Sequence, residues 1–170
     1  MAANYFSWKD NGQSHLSIGA VVINDEGKIC SHHFTKLPFE VFGTRYERDV
    51  YLLMRETVEP NETLEVALSR GLMEEFGMKT TLKTYIGSIL CHFTQKNTKI
   101  EKTTLYFLCQ YVSDDLNSRR RGDAEARSTL EWHEPNFLMQ KMQQQFKSTG
   151  REDINEAPII ARVKKLIAPS

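Results

Sequence analysis

Residues 56–78 read ETVEPNETLEVALSRGLMEEFGM, and their pattern decides how the rest of the chain is understood. Pro60 and Asn61 make a turn, after which Leu64, Leu68 and Leu72 recur every fourth residue, the spacing of one buried stripe on a helix. Arg70 and Glu74 are then neighbours on the helix surface, Glu75 lies one step round from Glu74, and Gly77 suits a left-handed stop. Two carboxylates therefore share an edge near a helix C-terminus, where the peptide dipole favours cations. A divalent cation bound to the pair relieves both the repulsion and the dipole, and hard oxygen ligands point to magnesium or manganese. A solvated acidic face is the plain alternative.

The stretch resembles the Nudix box, G-x5-E-x7-R-E-U-x-E-E-x-G-U, where U is a bulky apolar residue. Glu62, Arg70, Leu72, Glu74, Glu75, Gly77 and Met78 match at fixed spacing, while Glu56 stands at the box glycine and Gly71 at the glutamate after the arginine. The resemblance implies an α/β sandwich of α+β composition, with a mixed central sheet between helices, as a single domain over residues 1–170. It implies divalent-metal-dependent hydrolysis of a pyrophosphate bond in a nucleoside diphosphate linked to another moiety. Glu74 and Glu75 would hold the metal, Arg70 would orient them, and Glu62 would brace Arg70. A further loop glutamate is expected several residues before a late tryptophan; Glu125 stands nearest that place, with Glu131 second and Asp123 third.

The two departures are chemically specific. Gly71 can neither hold metal nor act as base, and a glycine inside a helix costs ~0.5–1 kcal/mol relative to alanine, so close approach of backbone or water there is expected to offset it. Glu56 brings a carboxylate to the same site and is the candidate replacement ligand. Most family members have two glycines at positions 55 and 56, which makes Arg55 a candidate phosphate contact. Loss of the carboxylate at position 71 also supports a second class, a nucleotide-binding or regulatory module that keeps the fold without hydrolysis.

Working outward, 170 residues with 40% hydrophobic content supply one sizeable core. Lys plus Arg equals Asp plus Glu at 22 each, so no global field recruits nucleic acid or an acidic membrane surface. Cys30, Cys91 and Cys109 lie scattered in apolar segments without metal or redox spacing, the pattern of buried thiols in a reducing, cytoplasmic setting. No stretch carries the ~18 apolar residues of a membrane span.

Residues 15–23 and 28–34 read as a hairpin around the turn at residues 24–27. His32 and His33 are adjacent, so on a strand they face opposite ways and each reads as a sheet or surface residue. Residues 35–49 read as a loop over the site, in which Arg45 and Tyr46 are candidates to hold a phosphate or stack on a base. Residues 50–54 form a short strand leading into the box. Residues 79–92 and 103–112 are two β-rich runs joined by an exposed polar loop over 94–102. Arg119, Arg120 and Arg121 fall in the most loop-like stretch and read as a solvated run. A last strand at 130–132 and two amphipathic helices, 134–146 and 153–167, complete the chain, with Phe137, Leu138, Met142 and Phe146 on the inner face of the first. Asn155 and Glu156 resemble the closing segment of Nudix enzymes that clean nucleotide pools, where an asparagine reads the base; a helix cap explains Asn155 equally well. The implied partner is a nucleotide-like small molecule, and Nudix domains often form dimers, which leaves a homodimer open.

Overall fold

Residue alternation on one strand explains the architecture. In β1 (Ser14–Ile23), Ile18, Ala20 and Val22 enter one apolar cluster while Val21 and Ile23 enter another, so both faces of the strand are buried. A computed structural model describes residues 14–35, 40–41, 44–45, 49–95, 97–122 and 124–168 of the chain. It places β1 at the centre of a mixed seven-stranded sheet. β2 (Ile29–Phe34) follows the turn, β3 (Glu40–Val41) and β4 (Thr44–Arg45) form a separate small ladder, and β5 (Val50–Leu52) and β6 (Met54–Thr57) lead to the helix. β7 (Met78–Gln95), β8 (Thr98–Asp114) and β9 (Thr129–His133) complete the strands. The order is β5-β2-β1-β8-β7, with β6 also paired to β1 and β9 to β2. β1 and β8 run parallel and the other pairs of this sheet antiparallel.

Helices cover both faces. On one, α1 (Leu64–Gly71) runs directly into a π-helical turn (Leu72–Phe76), and its Ala67, Leu68, Leu72 and Phe76 pack against Ile18, Ala20 and Val22. On the other, α2 (Pro135–Thr149) and α3 (Ala157–Ile167) bury Leu138, Met142, Ile159, Ile160 and Val163. No helix among the described residues is long and apolar enough to cross a membrane.

Two expectations change. The polar stretch 94–102 is largely in the β7–β8 ladder, with Thr94 opposite Lys99 and Cys91 opposite Lys102. Backbone pairing does not require apolar side chains, and Asn97, at φ 64°, makes the tight turn that lets the strands run on. In α2 it is Gln145, not Phe137, that turns inward. Its amide accepts from the Tyr51 N–H at 2.6 Å and donates to the Tyr51 carbonyl at 3.0 Å, so the buried polar group is satisfied, while Phe137 stacks on His133 at the surface.

Candidate active site

The turn before α1 is built from its own side chains. Thr63 caps the helix by accepting from the Val66 N–H at 3.1 Å, and Glu62 accepts from the Glu59 N–H at 3.0 Å. Arg70 then reaches back two turns to Glu62, donating to both carboxylate oxygens at 2.8 and 2.9 Å, and to the Thr57 carbonyl at 2.8 Å. This bidentate bond holds the Glu62 carboxyl below its usual range and Arg70 firmly charged. The remaining guanidinium nitrogen faces Glu56 at 3.5 Å and Glu74 at 3.6 Å. Arg70 thus joins strand, loop and helix through carboxylates.

The helix ends by widening. The π-turn carries Glu74 and Glu75 and closes on Gly77, whose φ of 65° and whose contact with the Asp115 carbonyl leave no place for a side chain. Glu74 stays near the surface between Arg70 and Arg120, the latter at 3.4 Å, and the Arg120 N–H donates to its carbonyl at 2.7 Å. Glu75 turns inward and is only 8% exposed.

What Glu75 meets inside was not visible in the sequence. Its Oε2 lies 2.9 Å from Nε2 of His32, a buried residue of β2, and 3.4 Å from the Arg55 N–H. His32 Nδ1 lies 2.7 Å from the Ser128 hydroxyl, which donates to the Glu125 carbonyl at 2.7 Å and accepts from Arg119 at 3.1 Å. A serine has one proton to give, and when it goes to the Glu125 carbonyl, Nδ1 donates to Ser128. Burial, then the charges of Arg119 and Arg55, depress His32 to about 3, so the ring is neutral and Nε2 is bare. In that tautomer the proton between His32 and Glu75 belongs to Glu75. Burial, then the negative charges of Glu125 and Glu56, independently push the Glu75 carboxyl well above its usual range. The contact is a neutral hydrogen bond, not an ion pair.

Glu56 on β6 and Glu125 on the turn before β9 are the carboxylates whose charges bear on Glu75. Arg119 clamps the Glu125 turn to the helix end, donating to the carbonyls of Glu75 at 2.6 Å, Glu125 at 3.0 Å and Ser128 at 3.3 Å. The expectation of a solvated arginine run is corrected here for Arg119, whose planar fork near a helix end meets free carbonyls, while the Arg120 guanidinium stays exposed beside the Glu74 carboxylate. Glu131 is likewise removed from the site. It bonds His33 at 2.7 Å and His133 at 3.1 Å on the α2 side of the sheet.

Arg55 is anchored on the other face of the strand. Successive residues of a strand face opposite ways, so Glu56 turns to α1 and Arg55 away from it. Its guanidinium is 7% exposed, 3.7 Å from the fully buried Glu156 and donating to the Asp153 carbonyl at 2.6 Å. Its charge nonetheless bears on Glu75 and on His32, so it lies within electrostatic reach of the carboxylate site. Asn155, just before Glu156 and α3, makes no side-chain cap, and its Oδ1 is buried without a hydrogen-bond partner. Tyr46 and Asp123 lie outside the described residues, and of Arg45 only the β4 backbone is described.

A mixed sheet between helical layers, with an arginine-braced acidic helix end packed on the strand that precedes it, defines a class of α+β sandwich proteins with a carboxylate site. Within that class the chain belongs to the Nudix family, the NUDIX domain matching residues 13–152. No curated protein is significantly similar to it in sequence. Among solved structures, a NUDIX hydrolase from Nitrosomonas europaea is 18% identical, with a TM-score of 0.57 over 88% of this chain and 91% of the other. The MutT protein from Methanosarcina mazei Go1 is 14% identical, with a TM-score of 0.56 over 92% and 97%. An ADP compounds hydrolase is 14% identical, with a TM-score of 0.59 over 90% and 72%. These likenesses establish the fold.

Nudix hydrolases generally use divalent metals. The donors here fit such an ion in kind: Glu56, Glu74, Glu75 and Glu125 offer only hard carboxylate oxygens from strand, helix end and turn. Among the described residues no three ligating side chains already stand close enough together to grip one. The carboxylates are instead occupied by Arg70, Arg120 and His32.

Proposed function

We propose that the protein is a divalent-metal-dependent pyrophosphohydrolase, acting on a nucleoside diphosphate linked to another moiety. The observation that carries this reading is the acidic helix end in which Arg70 bridges Glu56 and Glu74 at 3.5 and 3.6 Å beside the buried Glu75, whose carboxyl also feels the charges of Glu125 and Glu56. Glu74, Glu75 and Glu56 would hold magnesium or manganese. Bound there, the ion would neutralise the diphosphate and lower the pKa of the attacking water. Arg70 keeps Glu56 and Glu74 turned to one side of the helix end, His32 and the Arg55 N–H fix the direction of Glu75, and Arg119 holds the turn that carries Glu125. The Glu125 carboxylate would accept the proton of the attacking water, since Gly71 has none to offer.

Asn155 would contact the base, a role supported by its partnerless Oδ1. Neighbours titled as a MutT protein and an ADP compounds hydrolase support a nucleotide substrate. The unbridged Cys30, Cys91 and Cys109, all buried, support a cytoplasmic, reducing setting. A second reading, a nucleotide-binding module without hydrolysis, draws on Gly71 and on the ion pairs that occupy Glu74.

Incubation with nucleoside triphosphates, ADP-ribose, dinucleoside polyphosphates and capped or sugar nucleotides, in magnesium or manganese, separates the two. Release of phosphate or nucleoside monophosphate, abolished in Glu75→Gln, is expected. Nucleotide binding without product would overturn the enzyme reading in favour of the module.

A further inference from the structure

The two departures from the box touch each other. A Cβ at Gly71 would lie 2.7 Å from the Glu56 Cβ, 3.2 Å from its Cγ and 3.1 Å from the Met54 sulfur. The methionine can move aside, but the Cβ of Glu56 is held by the β6 backbone, which is paired to β1 through Ile18 opposite Glu56. No rotamer change clears that contact. Side chains at positions 56 and 71 therefore exclude each other unless helix and strand move apart, and Ala67, Leu68 and Leu72 pack that helix onto the sheet.

The box has the reverse arrangement, glycine on the strand and glutamate on the helix. From the same contact, a carboxylate on either side projects into the same space beside Arg70 and Glu74. Glu56 does so here, with Oε2 3.5 Å from Arg70, which also lies 3.6 Å from Glu74, and with its side chain 22% exposed. We propose that Glu56 and Gly71 are a reciprocal exchange, in which the strand supplies the metal-facing carboxylate that the box puts on the helix and Gly71 clears its place. This rests on the metal-dependent reading above and assigns its third carboxylate to β6. The exchange also accounts for the helix-interior glycine, because any larger residue there collides with the strand.

The test is a double-variant cycle on the full chain, read by thermal unfolding in chelator and by calorimetric titration with manganese. In chelator, Gly71→Ala is expected to lower Tm by roughly 2–10 °C in the native background and in Glu56→Ala, but much less in Glu56→Gly, because only glycine at position 56 removes the colliding atom. With manganese, Glu56→Gln is expected to weaken affinity at least about tenfold. The double variant Glu56→Gly, Gly71→Glu should regain most of it. Equal cost of Gly71→Ala in all three backgrounds, or undiminished manganese affinity in Glu56→Gln, overturns the exchange; the second also removes Glu56 from the ligand set, while metal-dependent hydrolysis through Glu74 and Glu75 stands. Absence of manganese binding by the native protein sinks the proposed function and this assignment with it.

Discussion

Adjacent residues of β6 serve two buried carboxylates that are treated in opposite ways. On the α3 side, Glu156 is fully buried and accepts from the Tyr106 hydroxyl at 2.6 Å and the Leu53 N–H at 2.8 Å, with the Arg55 guanidinium 3.7 Å away. On the α1 side, Glu75 faces a neutral imidazole and feels two further carboxylates, and burial with those charges outweighs Arg55 and pushes its carboxyl well above the usual range. Both are glutamates with almost no exposure. The first is closed, because its anion is answered by donors of the fold. The second is left in an electrostatic environment that an external cation would improve, and that difference separates a structural carboxylate from a candidate ligand.

The comparison breaks first at Glu156. Glu156→Gln leaves Arg55 charged and buried without its anion and is expected to cost about 3–5 kcal/mol in urea denaturation. Glu75→Gln is expected to change metal-free stability by less than about 1 kcal/mol, because the new amide N–H can donate to His32 Nε2 as the carboxyl proton does. If the two substitutions cost the same, the contrast between the sites is wrong.

The pH dependence of the metal-free protein sharpens it. The folded pKa of Glu75 lies well above 4.5, so its contribution is complete below 4.5 and is lost as pH rises through the folded value. His32 runs the other way, its folded value near 3 against 6.5, so its contribution is complete above 6.5 and is lost as pH falls toward 3. Urea midpoints across pH should therefore decline at both ends. Glu75→Gln should remove the alkaline decline and leave the acid one.

A smaller effect is expected at Arg119, whose fork holds the Glu125 turn against Glu75. Arg119→Lys keeps the charge but not the fork, and should cost about 1–3 kcal/mol of stability. Two residues along the same run, exposed Arg121 replaced by alanine should shift stability by no more than about 0.5 kcal/mol. Equal effects at the two would mean that the arginine run acts as plain surface charge.

Much of the site on the helix was legible from local spacing. Arg70 and Glu62 are eight residues apart and Arg70 and Glu74 four, and helix geometry plus one turn suffices to bring them together. The opposed faces of His32 and His33 also followed from strand alternation. What alternation does not state is which face is which. His32 proved to be the one under the helix, and the same ambiguity left open the direction of Arg55 and kept Glu131 as an alternative. The arginine run failed for a related reason, since composition cannot tell a solvated guanidinium from one that finds free carbonyls at a helix end.

The order of residues by itself determined the Nudix helix, its acidic end, the brace between Arg70 and Glu62, and the fact that glycine and glutamate have traded places at positions 56 and 71. These depend on neighbours within a few turns, where backbone geometry carries the information. Only the tertiary structure decided that Gly71 and Glu56 touch, that His32 and Ser128 stand behind Glu75, and that burial pushes the Glu75 carboxyl upward. Those facts depend on distance and burial between separate elements, fifteen residues apart for Glu56 and Gly71 and forty-three for His32 and Glu75, and burial, which sets the cost of a charge, exists only once the sheet and helices have closed over one another.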